Sequence, residues 1–223
     1  VPHPGSRLML QYDPVALILA FGLLALVPTL VAVTTSFLKM AIVMVLVRNA
    51  LGVQQVPPNI AMYGLALILT AYVMAPVGNR MYNLIAEQPH ALRSPEGVVK
   101  VLRVGAEPMR DFFQRNAKPE HRDFFVRSAR RVWGPELARD VQPTDFLVLL
   151  PAFVVSELTS AFQIGFLLYL PFVVIDLIVS NILLAMGMMM VSPVMISMPI
   201  KLFLFVMVDG WSRLIHGLIQ TYQ

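Results

Sequence analysis

The sequence predicts an all-α, membrane-associated chain in which long apolar, proline-broken helical hairpins flank a small inserted polar helical domain. Three observations carry this. Of 223 residues 57% are hydrophobic and only 13% charged, against roughly half and a quarter in soluble domains, and mean hydropathy is +0.72. Twenty of the thirty charged side chains fall between Gly78 and Pro143. Outside that segment, charge-free runs exceed the ~20 residues needed to cross a bilayer core.

The net charge of +4 belongs to the polar segment, which holds twelve Lys/Arg and eight Asp/Glu. Its bases alternate with acids and its flanks are apolar, so no nucleic-acid partner is expected despite a pI near 9.6. The absence of cysteine excludes disulfides and thiolate metal sites.

Residues 1–13 read as a leader or a tag remnant. They do not read as a secretory signal, because the apolar run that follows outlasts a signal's ~7–15-residue core and no clear cleavage site appears. Residues 14–77 form an apolar block. Pro14–Leu38 is uncharged over 25 residues, with Pro28 placed to kink it. Met40–Val47 is too short to span and is expected to continue or re-enter as a helix packed on protein. Gly52 reads as a helix stop and Pro57–Pro58 as a rigid break. Ile60–Val77 is a second uncharged run that Pro76 and Gly78 are expected to close.

Residues 78–143 read as mostly helical. Ser94-Pro95-Glu96 has the form of an N-cap, a first-turn proline and an acid at the positive helix end. Residues 110–117 (RDFFQRNA) are echoed at 122–129 (RDFFVRSA). Each copy sets Asp and Arg four apart (Asp111/Arg115, Asp123/Arg127), a pairing that supports a helix by a few tenths of a kcal/mol. Pro119 separates the copies, which predicts two short amphipathic helices.

Residues 144–223 form the second apolar block. Over 146–208 there are three charges, Glu157, Asp176 and Lys201, with Pro151, Pro171, Pro193 and Pro199 as dividers. Roughly 95 Å of helix fits three spans with almost no loop, or two long bent helices meeting at a turn. The charges are costly in hydrocarbon and should face protein or water. Pairing with one another or with a neighbouring subunit is favoured over an ion or proton relay, since nothing at relay spacing accompanies them. Ala152, Ser156 and Ser160 recur every four residues, a small-residue face for close helix contact within one chain or between subunits.

Ala185–Pro199 holds six of the fourteen methionines: Met186, Met188, Met189, Met190, Met195 and Met198. Methionine is unbranched and adaptable, and Gly187, Pro193 and Pro199 break the helix here. The cluster reads either as a compliant apolar collar or as ordinary packing of a helix end. Catalysis is not expected. His3, His90, His121 and His216 are scattered, and no Gly-x-Ser-x-Gly, phosphate loop or His-x-x-x-His appears. No cofactor is expected.

Pro151–Phe166 (PAFVVSELTSAFQIGF) and Pro199–Trp211 (PIKLFLFVMVDGW) resemble the two signatures of the FliP/SctR family, the R-type export-gate subunits of bacterial type III secretion systems. Arg48–Asn59 (RNALGVQQVPPN) and Met186–Pro193 (MGMMMVSP) support the resemblance, which covers the chain from about Tyr12. It implies a non-enzymatic component of a protein-conducting gate in the inner membrane. Five copies would assemble with S-type and T-type subunits into a helical ring around unfolded secreted substrates. A methionine-rich loop around 186–198 would line the pore, with the gasket falling on Met188, Met189 and Met190. Glu157, Lys201 and Asp176 would serve charge pairing in assembly. The resemblance places 78–143 on the periplasmic side, where the positive-inside rule would not, but at 66 residues the segment is past the ~60 over which that rule acts. It also implies that the apolar helices assemble without crossing the membrane conventionally. The early start of the first apolar run favours the injectisome over the flagellar type. A membrane scaffold that does not line the path, or a small-solute channel, would fit the apolar pattern alone.

Overall fold

A computed structural model describes residues 14–53, 56–88 and 94–223. The leader assigned to residues 1–13 lies outside them. Among the described residues all regular structure is helical. The elements are α1 (Pro14–Thr34), α2 (Phe37–Ala50), α3 (Asn59–Ala86), α4 (Pro95–Asn116), α5 (Pro119–Val132), α6 (Gly134–Leu137), α7 (Phe146–Ala185), α8 (Pro193–Met207) and α9 (Gly210–Gln220).

The first uncharged run is interrupted at Thr35–Ser36, beyond Pro28, and α1 and α2 meet there at 70°. α1 exposes Phe21, Leu23, Leu24, Leu26, Val27, Leu30 and Val31, so apolar side chains leave it on every side, as on a helix made for lipid or a partner. α2 is its opposite. Met40, Val43, Met44, Val47 and Ala50 are buried, and α7 and α3 pack on it. The short run Met40–Val47 is thus the centre of the core. Gly52 follows with φ +75°, the left-handed conformation suited to a helix stop.

Three expectations about proline are corrected. α3 runs through Pro76 and Gly78 to Ala86. α7 runs through Pro151 and Pro171 for 40 residues, roughly 60 Å and about twice a bilayer core. Pro199 lies inside α8, whereas Pro193 occupies its first turn, where the missing N–H costs nothing. An internal proline disfavours a helix by ~3 kcal/mol. In α7 the burial of Leu149, Ala152, Phe153 and Phe172 around the two prolines outweighs that cost.

In the polar segment Ser94 Oγ accepts from Gly97 N–H at 3.1 Å, the cap its sequence announced. α4 is longer than the echo implied, and the paired acids and bases do not meet. Arg115 Nε donates to the Asp111 carbonyl. No ion pair joins Asp111 to Arg115 or Asp123 to Arg127 among the described residues, and Arg110 instead pairs with Glu107 at 2.7 Å. The echoed phenylalanines diverge too: Phe112 and Phe113 are core, whereas Phe124 is exposed.

Two hydrophobic cores result. One gathers α2, the start of α3, the middle of α7, Phe205 of α8, and Leu214 and Leu218 of α9. The other docks Phe112 and Phe113 of α4 on Val77 of α3 and on Leu149, Ala152 and Phe153 of α7. Tyr222 packs against both. By length and composition α3 and α7 can each cross a membrane, and the bent pairs α1–α2 and α8–α9 raise the number of candidate spans to four.

Candidate functional site: a methionine tip and two ion pairs

α7 ends in a Schellman motif. The Met188 N–H donates to the Leu183 carbonyl at 2.9 Å and the Gly187 N–H to that of Leu184 at 3.0 Å, with Gly187 at φ +73°. This 6→1 and 5→2 pattern satisfies the last helix carbonyls and turns the chain sharply. The loop proper is Met186–Ser192, because Met195 and Met198 belong to α8. Met188, Met189 and Met190 are 39%, 79% and 102% exposed, so ordinary core packing does not describe them in the isolated chain. Nothing lies within 4 Å of a Cβ built on Gly187, so the cost of Gly187→Ala is conformational, about 1–2 kcal/mol for an L-residue in this region. A thermal shift in detergent checks this, and an unchanged midpoint would contradict the turn described.

Behind the tip, α8 folds back along α7. Lys201 Nζ pairs with Asp176 Oδ2 at 2.6 Å and donates to the Ala50 carbonyl at 3.3 Å. Buried Ser197 donates from Oγ to Asp176 Oδ1 at 2.6 Å. The ammonium therefore meets both a carboxylate and the carbonyl end of α2, where the helix dipole favours a cation. Glu157 does not join this pair. Its Oε1 lies 2.9 Å from Lys39 Nζ on α2, the two side chains 1% and 4% exposed. Tyr222 donates its hydroxyl to Glu157 Oε2. Lys39 also donates to Thr221 Oγ1 at 3.3 Å and sits 4.0 Å from the centroid of the Tyr222 ring. Burial, and then the neighbouring carboxylate, push the Tyr222 hydroxyl above its ordinary range, so it remains a donor.

Ala152 and Ser156 are buried, and Ser160 is only partly so. This small-residue face receives the start of α5. Ser156 Oγ accepts from Lys118 N–H at 2.9 Å and donates to the Ala152 carbonyl at 2.7 Å. With its one proton given to that carbonyl, it accepts from His121 Nδ1 at 2.8 Å. The contact is made within the chain. Gly165, five residues beyond Ser160, lets α2 approach, since a Cβ there would stand 2.3 Å from Leu46 Cδ1 and 3.2 Å from Leu46 Cβ.

Sequence reasoning did not assign Lys39, Ser197, Thr221 or Tyr222 to these networks. One signal was available: the apolar helices carry Lys39 and Lys201 against Glu157 and Asp176, a balance that buried charges require. Among the described residues no cluster of three or more His, Cys, Asp or Glu is placed to hold a metal.

An all-helical chain with two to four candidate spans, a buried ion pair and an apolar tip belongs to the class of helical membrane proteins. The FliP family profile matches residues 20–218, and the chain belongs to that family. It is 52% identical over 210 residues to "Yop proteins translocation protein R" of Yersinia pestis, covering 94% of this chain and 97% of the relative. It is 45% identical over 212 residues to "Harpin secretion protein HrcR" of Erwinia amylovora (95% and 98%). With "Virulence protein YscR" of Salmonella typhimurium it shares 43% identity over 213 residues (94% and 97%).

Proposed function

We propose that this chain is the R-type subunit of a type III secretion export gate, with Met188, Met189 and Met190 forming part of an apolar gasket around the substrate path. Membership of the FliP family supports the assignment to secretion. The observation that supports the gasket is the tip itself, three consecutive exposed methionines held on a tightly hydrogen-bonded turn. Soft apolar side chains converging from several copies would exclude water and ions from a closed pore. Their flexible thioethers would yield to a passing chain. Names in translocation, harpin secretion and virulence among the relatives support the injectisome type over the flagellar one.

In this reading five copies assemble with S-type and T-type subunits, in contact with lipid in the inner membrane, and the polar domain faces the periplasm. The apolar surfaces of α1, α7 and α8 are the material for those contacts. The buried pair Lys39–Glu157 and the half-buried pair Lys201–Asp176 keep each subunit in the shape that assembles. The function is conduction of unfolded protein, without catalysis or cofactor.

Replacing Met188, Met189 and Met190 together with alanine is expected to let small ions leak through an assembled gate, read as conductance in a planar bilayer. Unchanged conductance counts against the gasket. Photo-crosslinkers at the same three positions are expected to capture a stalled substrate. If they never do while assembly is normal, the chain is a scaffold beside the path.

A further inference from the structure

α8 and α9 meet at an elbow of 63°, built from Asp209 in the left-handed region at φ 53° and from Gly210. A Cβ on Gly210 would stand 2.4 Å from Phe205 ring carbons, so the elbow closes this tightly only around glycine. The bend leaves a groove of about 370 Å³ against α7, whose lining includes Leu168, Phe172, Leu204 and Phe205. That volume lies within the range of small-molecule sites, roughly 300–1,000 Å³. The one charged residue in its lining is Arg213, which is exposed and makes no ion pair among the described residues. Trp211 stands edge-on to Phe205, with centroids 5.3 Å apart. An indole and a guanidinium beside an apolar slot, on a bent pair apolar enough to enter a membrane, combine a hydrocarbon-matching wall with groups that favour the headgroup level.

We propose that this elbow is a binding site for an anionic phospholipid, with one acyl chain in the groove and the headgroup phosphate on Arg213. The apolar wall alone would take any hydrocarbon. The unpaired guanidinium, a fork that matches phosphate oxygens bidentately, selects an anionic headgroup over a zwitterionic one, whose own cation would lie near Arg213. Basic positions between membrane helices recognise headgroups in this way. The groove lies about one helical turn from the ion pair that Lys201 makes with Asp176, since Phe205 follows Lys201 and Phe172 precedes Asp176 by four residues, and it does not depend on which substrates, if any, the chain conducts.

The test uses the assembled complex in nanodiscs containing either phosphatidylglycerol or phosphatidylcholine, each carrying a diazirine in one acyl chain. Adducts are mapped by peptide mass spectrometry after illumination. Expected are adducts on 168–172 and 204–205, several-fold more abundant with phosphatidylglycerol. Arg213→Gln should reduce them to the phosphatidylcholine level, and Arg213→Lys should keep part of the preference. Leu23 and Leu24 of α1 serve as an internal reference for lipid contact without selectivity. Equal yields from the two lipids would overturn the proposal. So would the absence of groove adducts above the α1 reference, which would leave the groove to a protein partner. Native-gel migration of each variant complex establishes that it has assembled, so that lost adducts report the site.

Discussion

Replacing Lys39 with alanine is expected to destabilise the chain by about 3–5 kcal/mol, because the Glu157 carboxylate is then left buried without its cation. The effect should show as a large fall in the thermal midpoint in detergent and, in the complex, as failed assembly on a native gel. The diagnostic companion is the triple variant Lys39→Met, Glu157→Leu, Tyr222→Phe. It removes the cation, the anion and the hydroxyl that donates to it, and apolar replacement of a whole buried pair is often neutral or stabilising. Recovery of most of the lost stability would show that the single variant suffers from an orphaned charge. A single variant that loses less than about 1 kcal/mol would contradict the buried pair. Lys39 lies in the first turn of α2, where the helix dipole disfavours a cation, so the carboxylate has more to offset than in a pair placed mid-helix.

Phe153→Ala is expected to cost about 3–5 kcal/mol. Phe153 is fully buried, with ring centroids 4.9 Å from Phe113 and 5.4 Å from Phe112. Phe112 in turn stacks on Tyr222 at 6.0 Å. The loss should concentrate where α4 docks on α7, so amide exchange over 109–117 should rise more than exchange in α2. Phe124→Ala is the control. Its ring is exposed, and a change within about 0.5 kcal/mol is expected. Equal effects of the two substitutions would remove the basis for placing the polar domain on α7 through this aromatic cluster.

The sequence revealed the class of this fold more readily than its joints. Charge distribution and hydropathy separate the two apolar blocks from the polar one, and the capping residues at Ser94–Glu96 mark the start of α4. Proline misled in three helices, at Pro76, Pro151 and Pro171 and again at Pro199. The penalty at Pro76, Pro151 and Pro171 is local, while the burial that opposes it is assembled from distant parts of the chain. The real joints in the apolar blocks are Thr35–Ser36, the Gly187 turn and Asp209–Gly210, and of these only Thr35–Ser36 lacks a glycine to mark it. The methionine tip was legible because its composition and its breaker coincide. The Lys39–Glu157 pair was not, because hydropathy assigns Lys39 to a connection between runs. Its burial depends on a close approach of α2 to α7 that Gly165 permits and that no spacing rule reveals.

The placement of α2 also sets a clock. The bond from Lys39 to Thr221 joins positions 182 apart in the chain, and that from Lys201 to the Ala50 carbonyl joins positions 151 apart. At roughly 5–20 residues per second, about 10–40 s of synthesis separate α2 from the last of these partners. Until Glu157 is made, about 120 residues after Lys39, the most deeply buried helix of the finished subunit is a nascent segment whose ammonium lacks its carboxylate. Its burial therefore waits first on α7 and then on the stretch around Thr221, and a subunit lacking either leaves a core helix uncovered.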